Sequence, residues 1–320
     1  MEIAKGIHRI QVPLGERFVC MYLLVGEDAT LLIDTGLAPM PRENLLPYME
    51  SAGLSVENIK WVLNSHIDFD HTGGNGPIRE IAPQAVMMCH EFDRHMIDDF
   101  DAMMAGRYSV YAADHGIDEP DDAKPFIREN TQHVPVDMGI MGGEVLHLGG
   151  GWYVEILHTP GHSRGHISVH DPRSKTMLIM DAVLWNAVLT AEGNPAFPPT
   201  YRYVNTYLAS THRIAGYDLE RMATSHYPMS EGKGAIDEFL GESRAFVVRV
   251  EAALRDTLKK TSAPMTMQDV IAELSPKLGS WPDAAGMYLV WPLTGHFERM
   301  QLYGLVETGR RDGLMTVRWI

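Results

Sequence analysis

Cysteine is nearly absent from this chain. There are two in 320 residues, Cys20 and Cys89, and neither belongs to a C-x-x-C pair. Two cysteines cannot build a disulfide framework, so reduced thiols and a cytoplasmic location are the simplest expectation. Long apolar runs are absent too. No stretch reaches about 18 uninterrupted apolar residues, and the first ten residues, MEIAKGIHRI, lack an apolar signal core, so neither a signal peptide nor a membrane span is expected. Positive charge is scarce: 27 Lys and Arg stand against 42 Asp and Glu, a net charge of −15. That balance opposes general binding to a phosphate backbone and adhesion to anionic membranes. There is no internal repeat and no low-complexity tract.

What is present is an ordinary globular composition, 45% hydrophobic and 22% charged, in a chain long enough for one large domain and a small one. Histidine is the unusual abundance, with fifteen residues. This tilts any metal site toward imidazole and carboxylate ligands and away from thiolates. Short β-rich runs dominate the first third: Ile7–Leu14, Cys20–Gly26, Ala29–Gly36 and Ile59–Ser65, with a helix over Pro41–Gly53 and a further strand over Pro83–His90. Strands return at Gly143–His162, His166–Asp171 and Lys175–Trp185. A helix is predicted across Tyr201–Ala215, and another strand-to-loop step falls within Leu219–Pro228. Strands with helices scattered between them make an α/β sandwich pattern.

Two segments differ in texture. Residues 91–130, rich in Met, Phe, Tyr and Asp, read as a helical insertion between strands. It is either a plain surface helical hairpin or a lid and pocket wall with adaptable apolar lining. From Lys233 to Lys260 runs a long helix. After it come a short capped helix at MTMQDVIAEL, a helix ending near Gly304, and a hairpin around Asp312–Gly313. Helices closed by a hairpin resemble a winged-helix module. Residues 261–320 carry five Lys and Arg against six Asp and Glu, so no basic face is expected there, and a structural or dimerisation appendage is the favoured reading. Its apolar residues Met287, Leu289, Trp291 and Leu293 suit either a homodimer contact or the module's own core.

The chemistry concentrates at strand ends. The stretch NSHIDFDHTGGN holds His66, Asp68, Asp70 and His71, four metal-capable side chains within six residues. His162 lies in HTPGHSRGH, Asp181 in LIMDAVLW and His226 in TSHYP. Each follows an apolar strand and precedes a small or turn residue, so strand ends meeting along one rim would make an open site. Singly, each has a bland explanation: a turn histidine, a helix cap, a satisfied core histidine. Their order and spacing together point to metal.

That constellation, with DTG at Asp34–Gly36 and DHTGGN at Asp70–Asn75, resembles the metallo-β-lactamase superfamily of metal-dependent hydrolases over about Met1 to Gly232. The resemblance implies a four-layer αβ/βα sandwich over residues 1–232, with the helical, winged-helix-like region at 233–320 as an extension found on some members. It implies two divalent metal ions: one on His66, Asp68 and His162, the other on Asp70, His71 and His226, bridged by Asp181. Asp34 would orient a ligand histidine, and Asp70 would accept or relay a proton. Two such ions, about 3.5 Å apart, acidify a shared water and polarise a carbonyl or phosphoryl oxygen.

One position departs from the family pattern: Asp68 stands where its second histidine is usual. A carboxylate there shifts preference from zinc toward iron or manganese without excluding zinc. It resembles, with Asp in place of Glu, the flavodiiron branch of diiron oxidoreductases, yet no flavodoxin-like domain follows. It also leaves a further reading, in which Asp68 spares the metal and the site holds a single ion. Tyr227 is a candidate catalytic residue, with Trp185, Tyr201 and Tyr203 as softer candidates to face the site. His90, His95, His158 and His166 read as structural or supporting. Arg164 and Arg202 read equally as anion partners or solvated surface. The expected function is hydrolysis of a small ester, lactone, thioester or amide. A diiron oxidoreductase or oxygen-binding protein is the alternative, with a nuclease last because of the net charge.

Overall fold

The computed structural model describes all 320 residues. Its central strand, Arg17–Val25, shows why the chain folds into layers. Successive side chains along a strand point to opposite faces. Val19, Met21 and Leu23 enter one apolar cluster, with Leu45, Met49 and Ile78 from flanking helical segments. Phe18, Cys20, Tyr22 and Leu24 enter another, with Val154, Ile156, Val169 and Leu178 of a second sheet. The second sheet alternates in the same way. Leu178 and Met180 face the inner cluster, while Met177 and Ile179 join a third cluster lined by Tyr207, Phe246 and Val250. The order helix, sheet, sheet, helix is the four-layer αβ/βα sandwich.

The first sheet has seven strands in chain order, from Glu2–Ala4 to Met138–Ile140. It runs antiparallel up to Thr30–Ile33, and parallel from there through Ile59–Asn64, Val86–His90 and Met138–Ile140. In its parallel half, one end of the sheet gathers the carboxyl ends of the strands, where loops can converge on a site. The second sheet has six strands, and its one parallel pairing joins Thr176–Met180 to Arg221–Thr224. Asp181 and His226 follow those two strands.

Residues 91–130 fold neither as a hairpin nor as one helix. They form short pieces at Glu91–Ile97, Phe100–Met103, Met104–Tyr108, Ala112–His115 and Ala123–Glu129. The breaks are local. Asp99 starts a new turn by accepting from the Ala102 N–H, and Gly116 ends one at φ +63°. Met104–Tyr108 is a π-helical turn, the wide turn that re-aims side chains and clusters at functional sites.

Beyond the long helix Gly232–Lys259 lie a capped helix, Met267–Leu278, a helix Val290–Leu302, and a three-stranded sheet closed by the hairpin Val306–Arg311/Leu314–Trp319. The capping box pairs Thr266 with Asp269. The helix expected to end near Gly304 is preceded by a 3₁₀ turn, Asp283–Leu289, behind Pro282. Leu289, Trp291 and Leu293 are buried in the same cluster as Met177 and Tyr207, so their apolar surface is consumed within one chain. No helix is long and apolar enough to cross a membrane.

Candidate metal centre

Asp34 follows the strand Thr30–Ile33 at φ +60°, a backbone region that only glycine and short polar residues such as Asp tolerate well. The bend turns its carboxylate back into the fold. Oδ1 accepts from the Ser65 N–H at 2.7 Å, and Oδ2 accepts from Ser65 Oγ and from His71 Nδ1, both at 2.8 Å. Ser65 Oγ in turn lies 2.9 Å from His66 Nδ1. With Nδ1 donating, His66 and His71 each carry their lone pair on Nε2.

The Thr-Gly-Gly turn has a steric reason. A Cβ on Gly73 would meet the Asn130 carbonyl at 2.3 Å, and one on Gly74 the Thr35 carbonyl at 2.4 Å. The short helix Phe69–Thr72 therefore docks tightly beneath the DTG loop and the end of the insertion. His162 and His226 are fixed likewise: His162 Nδ1 faces the Thr200 carbonyl at 3.1 Å and His226 Nδ1 the Phe18 carbonyl at 2.8 Å.

All seven expected ligands converge. They fall into three groups whose donor atoms lie within 4.8 Å of one another: His66, Asp68 and His162; Asp70, His71 and His226; and His66, His71 and Asp181. His226 Nε2 is 3.2 Å from Asp181 and 3.5 Å from Asp70, and His71 Nε2 is 3.8 Å from each of those carboxylates.

The two sides of the centre differ in kind. Around Asp70, His71, Asp181 and His226, negative charge collects without a cation. His71 Nε2, His66 Nε2 and Asp181 Oδ1 are buried with no hydrogen-bond partner. Burial alone would lower the pKa of His71, yet the carboxylates of Asp70, Asp34 and Asp181 raise it to about 10. That is a place that favours positive charge, and a divalent cation there would displace the proton from His71 Nε2 and use the imidazole, beside the carboxylates, as a neutral donor. Orphaned donors and donor chemistry both fit such an ion here.

The Asp68 side is already engaged. Arg107, from the π-helical turn, donates Nε to Asp68 Oδ1 at 2.5 Å and Nη2 to Oδ2 at 2.8 Å. The same Nη2 lies 2.9 Å from His162 Nε2, and that nitrogen is 3.0 Å from Asp68 Oδ2. Arg107 is buried, and its guanidinium stacks on Trp291, 4.0 Å from the ring centroid. Burial works against charge on both partners, but their mutual attraction, with His162 beside them, holds Asp68 well below the usual carboxylate range.

A cavity of about 300 Å³ opens on the centre, reaching Asp68, Asp70, Asp181 and His226. Its far walls are apolar and aromatic, with Phe69, Phe126, Phe197 and Tyr288 among them. A larger cavity of about 630 Å³ shares Arg107, His162 and Trp291 with it and holds the partly solvated Arg164 and Arg202. Arg202 is paired with Glu298, and Arg164 donates to Tyr203 Oη.

Tyr227 does not face the centre. Its hydroxyl donates to the Ala187 carbonyl at 3.0 Å and its ring packs edge-on against Phe239, because this strand-end residue turns into the core. Tyr201 is likewise buried, its hydroxyl 3.0 Å from His296 Nε2, and Trp185 packs on the same apolar cluster. The tyrosines that line the cavity are Tyr108 and Tyr288, which sequence reasoning did not single out; nor did it single out Arg107 or Glu119. Of the supporting histidines, His166 stacks on His66 with ring centroids 5.0 Å apart and accepts from the Asp181 N–H at 3.2 Å. His90 and His158 stack on each other instead.

A sequence model of the metallo-beta-lactamase superfamily matches residues 14–226. An acyl-coenzyme A thioesterase of Gallus gallus is 25% identical over 206 residues, 61% of this chain and 65% of that protein. An N-acyl homoserine lactonase of a Bacillus species is 26% identical over 173 residues, 47% of this chain and 57% of the lactonase. The chain thus spans less than two thirds of the length of these curated relatives. A metallo-beta-lactamase family protein from Thermus thermophilus superposes with a TM-score of 0.75 at 21% identity, covering 99% of this chain and 100% of that one. Its likeness is one of fold and takes in the C-terminal region.

Proposed function

From the premise that this chain belongs to the metallo-beta-lactamase superfamily, we propose that it is a metal-dependent hydrolase of a small acyl substrate, a thioester or lactone before a simple ester or amide. The observation that carries this is the group of unpartnered buried donors at His66, His71 and Asp181, of which Asp181 lies at the wall of a cavity lined by aromatic side chains. Asp70, His71, His226 and Asp181 would hold a divalent cation. When bound, such an ion acidifies water toward neutral pH and polarises an acyl carbonyl.

The chain's own groups supply the rest. Asp70 sits among the donors with its carboxylate in the cavity and takes up the proton of the attacking water. Tyr108 Oη accepts from the Phe69 N–H at 3.0 Å, which leaves its own proton to steady a substrate oxygen. The aromatic walls hold the acyl chain and exclude water. The diiron alternative rested on Asp68, and that carboxylate has both oxygens engaged by Arg107. No observation favours it over hydrolysis.

The test is a panel of acyl thioesters and N-acyl lactones, assayed on chelator-stripped protein and again after a divalent metal is restored. Turnover of at least one class should vanish on stripping and return on reloading. Undiminished hydrolysis by the stripped protein would end the reading.

Glu119 provides a pH signature of the same cavity. Burial, against the opposing effects of the Tyr288 hydrogen bond and Arg107, raises its carboxyl to about 7, and Tyr288 Oη donates to it at 3.1 Å. Between its ordinary pKa and about 7 the native state holds a proton that the unfolded state has lost. Stability therefore falls as pH rises through that window and stays lower above it. Glu119→Gln removes this dependence. Relative to the parent, the variant should gain roughly 1–2 kcal/mol between pH 5 and pH 8, after allowance for screening of a half-buried group. Urea midpoints of both proteins at the two pH values check this, and parallel pH profiles would refute it.

A further inference from the structure

We infer that Arg107 takes the place of a second cation: the centre holds one divalent ion, and a guanidinium supplies the positive charge on the side of His66, Asp68 and His162. This rests on the metal-dependent reading above.

The donors decide it. A cation on that side would need lone pairs from Asp68 and His162. Both Asp68 oxygens accept from Arg107. His162 directs Nδ1 to the Thr200 carbonyl, so the nitrogen facing Arg107 Nη2 at 2.9 Å is the lone-pair nitrogen. Of the donors on that side only His66 Nε2 has no hydrogen-bond partner, and it also belongs to the group with His71 and Asp181; the remaining lone pairs of Asp68 lie on a carboxylate whose charge Arg107 already neutralises. An ion within about 2 Å of Asp68 Oδ2 and His162 Nε2 would sit within roughly 4 Å of a permanently charged guanidinium.

Charge bookkeeping agrees. Asp68 and Arg107 cancel, while Asp70 and Asp181 have no cationic partner among Arg and Lys. Arg107 is also not a side chain that swings away easily. Trp291 lies against its face, the Asp68 carboxylate grips its edge in a two-point geometry, and its surroundings are buried. The carboxylate at position 68 is thereby explained by a neighbour within the chain: an imidazole there would leave a buried arginine without its counter-ion. The guanidinium lies at the wall common to both cavities, where it can meet negative charge that develops on a substrate oxygen.

The experiment is metal stoichiometry, by elemental analysis and by zinc titration of chelator-stripped full-length protein. The parent should saturate at about one ion per chain. Asp68→Asn should keep that value, while His226→Ala should lose tight binding. The double change Arg107→Ala with Asp68→His, shown folded by circular dichroism, should accept about two. Two tightly held ions in the parent, a fall in stoichiometry with Asp68→Asn, or a folded double variant that still stops at one would each overturn the inference. None of those results touches the hydrolase reading, which fails instead if the parent holds no ion and His226→Ala changes nothing.

Discussion

Asp70→Ala should reduce kcat/KM on the responsive acyl substrate by roughly 10³-fold or more, because on the proposed reading it removes a metal ligand and a proton acceptor together. Asp70 Oδ1 lies 3.8 Å from His71 Nε2 and Oδ2 lies 3.5 Å from His226 Nε2. Its loss leaves Asp181 as the one carboxylate facing both imidazoles. The expected signature is a fall in bound metal that accompanies the fall in rate. Asp70→Asn separates the two roles. The amide keeps an oxygen for the ion but cannot take up a proton at neutral pH, so metal content should survive better than activity, with a loss nearer 10²-fold. Rates and metal content of the two variants, measured on the same preparations, check the assignment. Full activity in Asp70→Ala would remove Asp70 from the chemistry.

Much of this centre is legible in the sequence, and the reason is local. His66, Asp68, Asp70 and His71 share one strand-to-helix turn, so their spacing is itself the geometry. Asp181 and His226 end neighbouring parallel strands, and the apolar runs before them announce those ends. The sandwich was legible because Arg17–Val25 and Thr176–Met180 are apolar on both faces, as strands buried between two layers must be.

What stayed hidden depends on side-chain direction and on long-range contact. Tyr227 adjoins the expected ligand His226 in sequence, yet successive residues leave a strand end on opposite sides, and its hydroxyl finds Ala187. Arg107 sits in MMAGRYSVY with no spacing to any ligand. A π-helical turn aims it, and Asp68, 39 residues earlier, receives it. Its stacking partner Trp291 arrives from the C-terminal region. The one usable signal was the anomaly at position 68. A carboxylate where the family pattern has an imidazole requires a new positive partner, and the sequence alone does not say whether that partner is a metal or an arginine.

Trp291→Ala should show that the C-terminal region completes the centre. Trp291 is 8% exposed and packs within the largest apolar cluster. Truncating a buried tryptophan to alanine removes its apolar burial and leaves a cavity, a loss of about 3–5 kcal/mol. Tyr111 packs edge-on to the indole at 4.8 Å and loses that contact as well. The functional consequence runs through Arg107, whose guanidinium stacks on the same ring. Without the ring, the arginine gains room to leave Asp68 and His162, and the wall shared by the two cavities opens. The variant, assayed at a temperature where it remains folded, should therefore lose activity beyond what its folded fraction explains. Trp291→Phe keeps an aromatic face for the guanidinium and should recover most of that excess loss. Were the C-terminal region an independent appendage, Trp291→Ala would lower the urea midpoint and leave kcat/KM per folded molecule unchanged. The comparison of alanine and phenylalanine variants, at matched folded fraction, decides between the two.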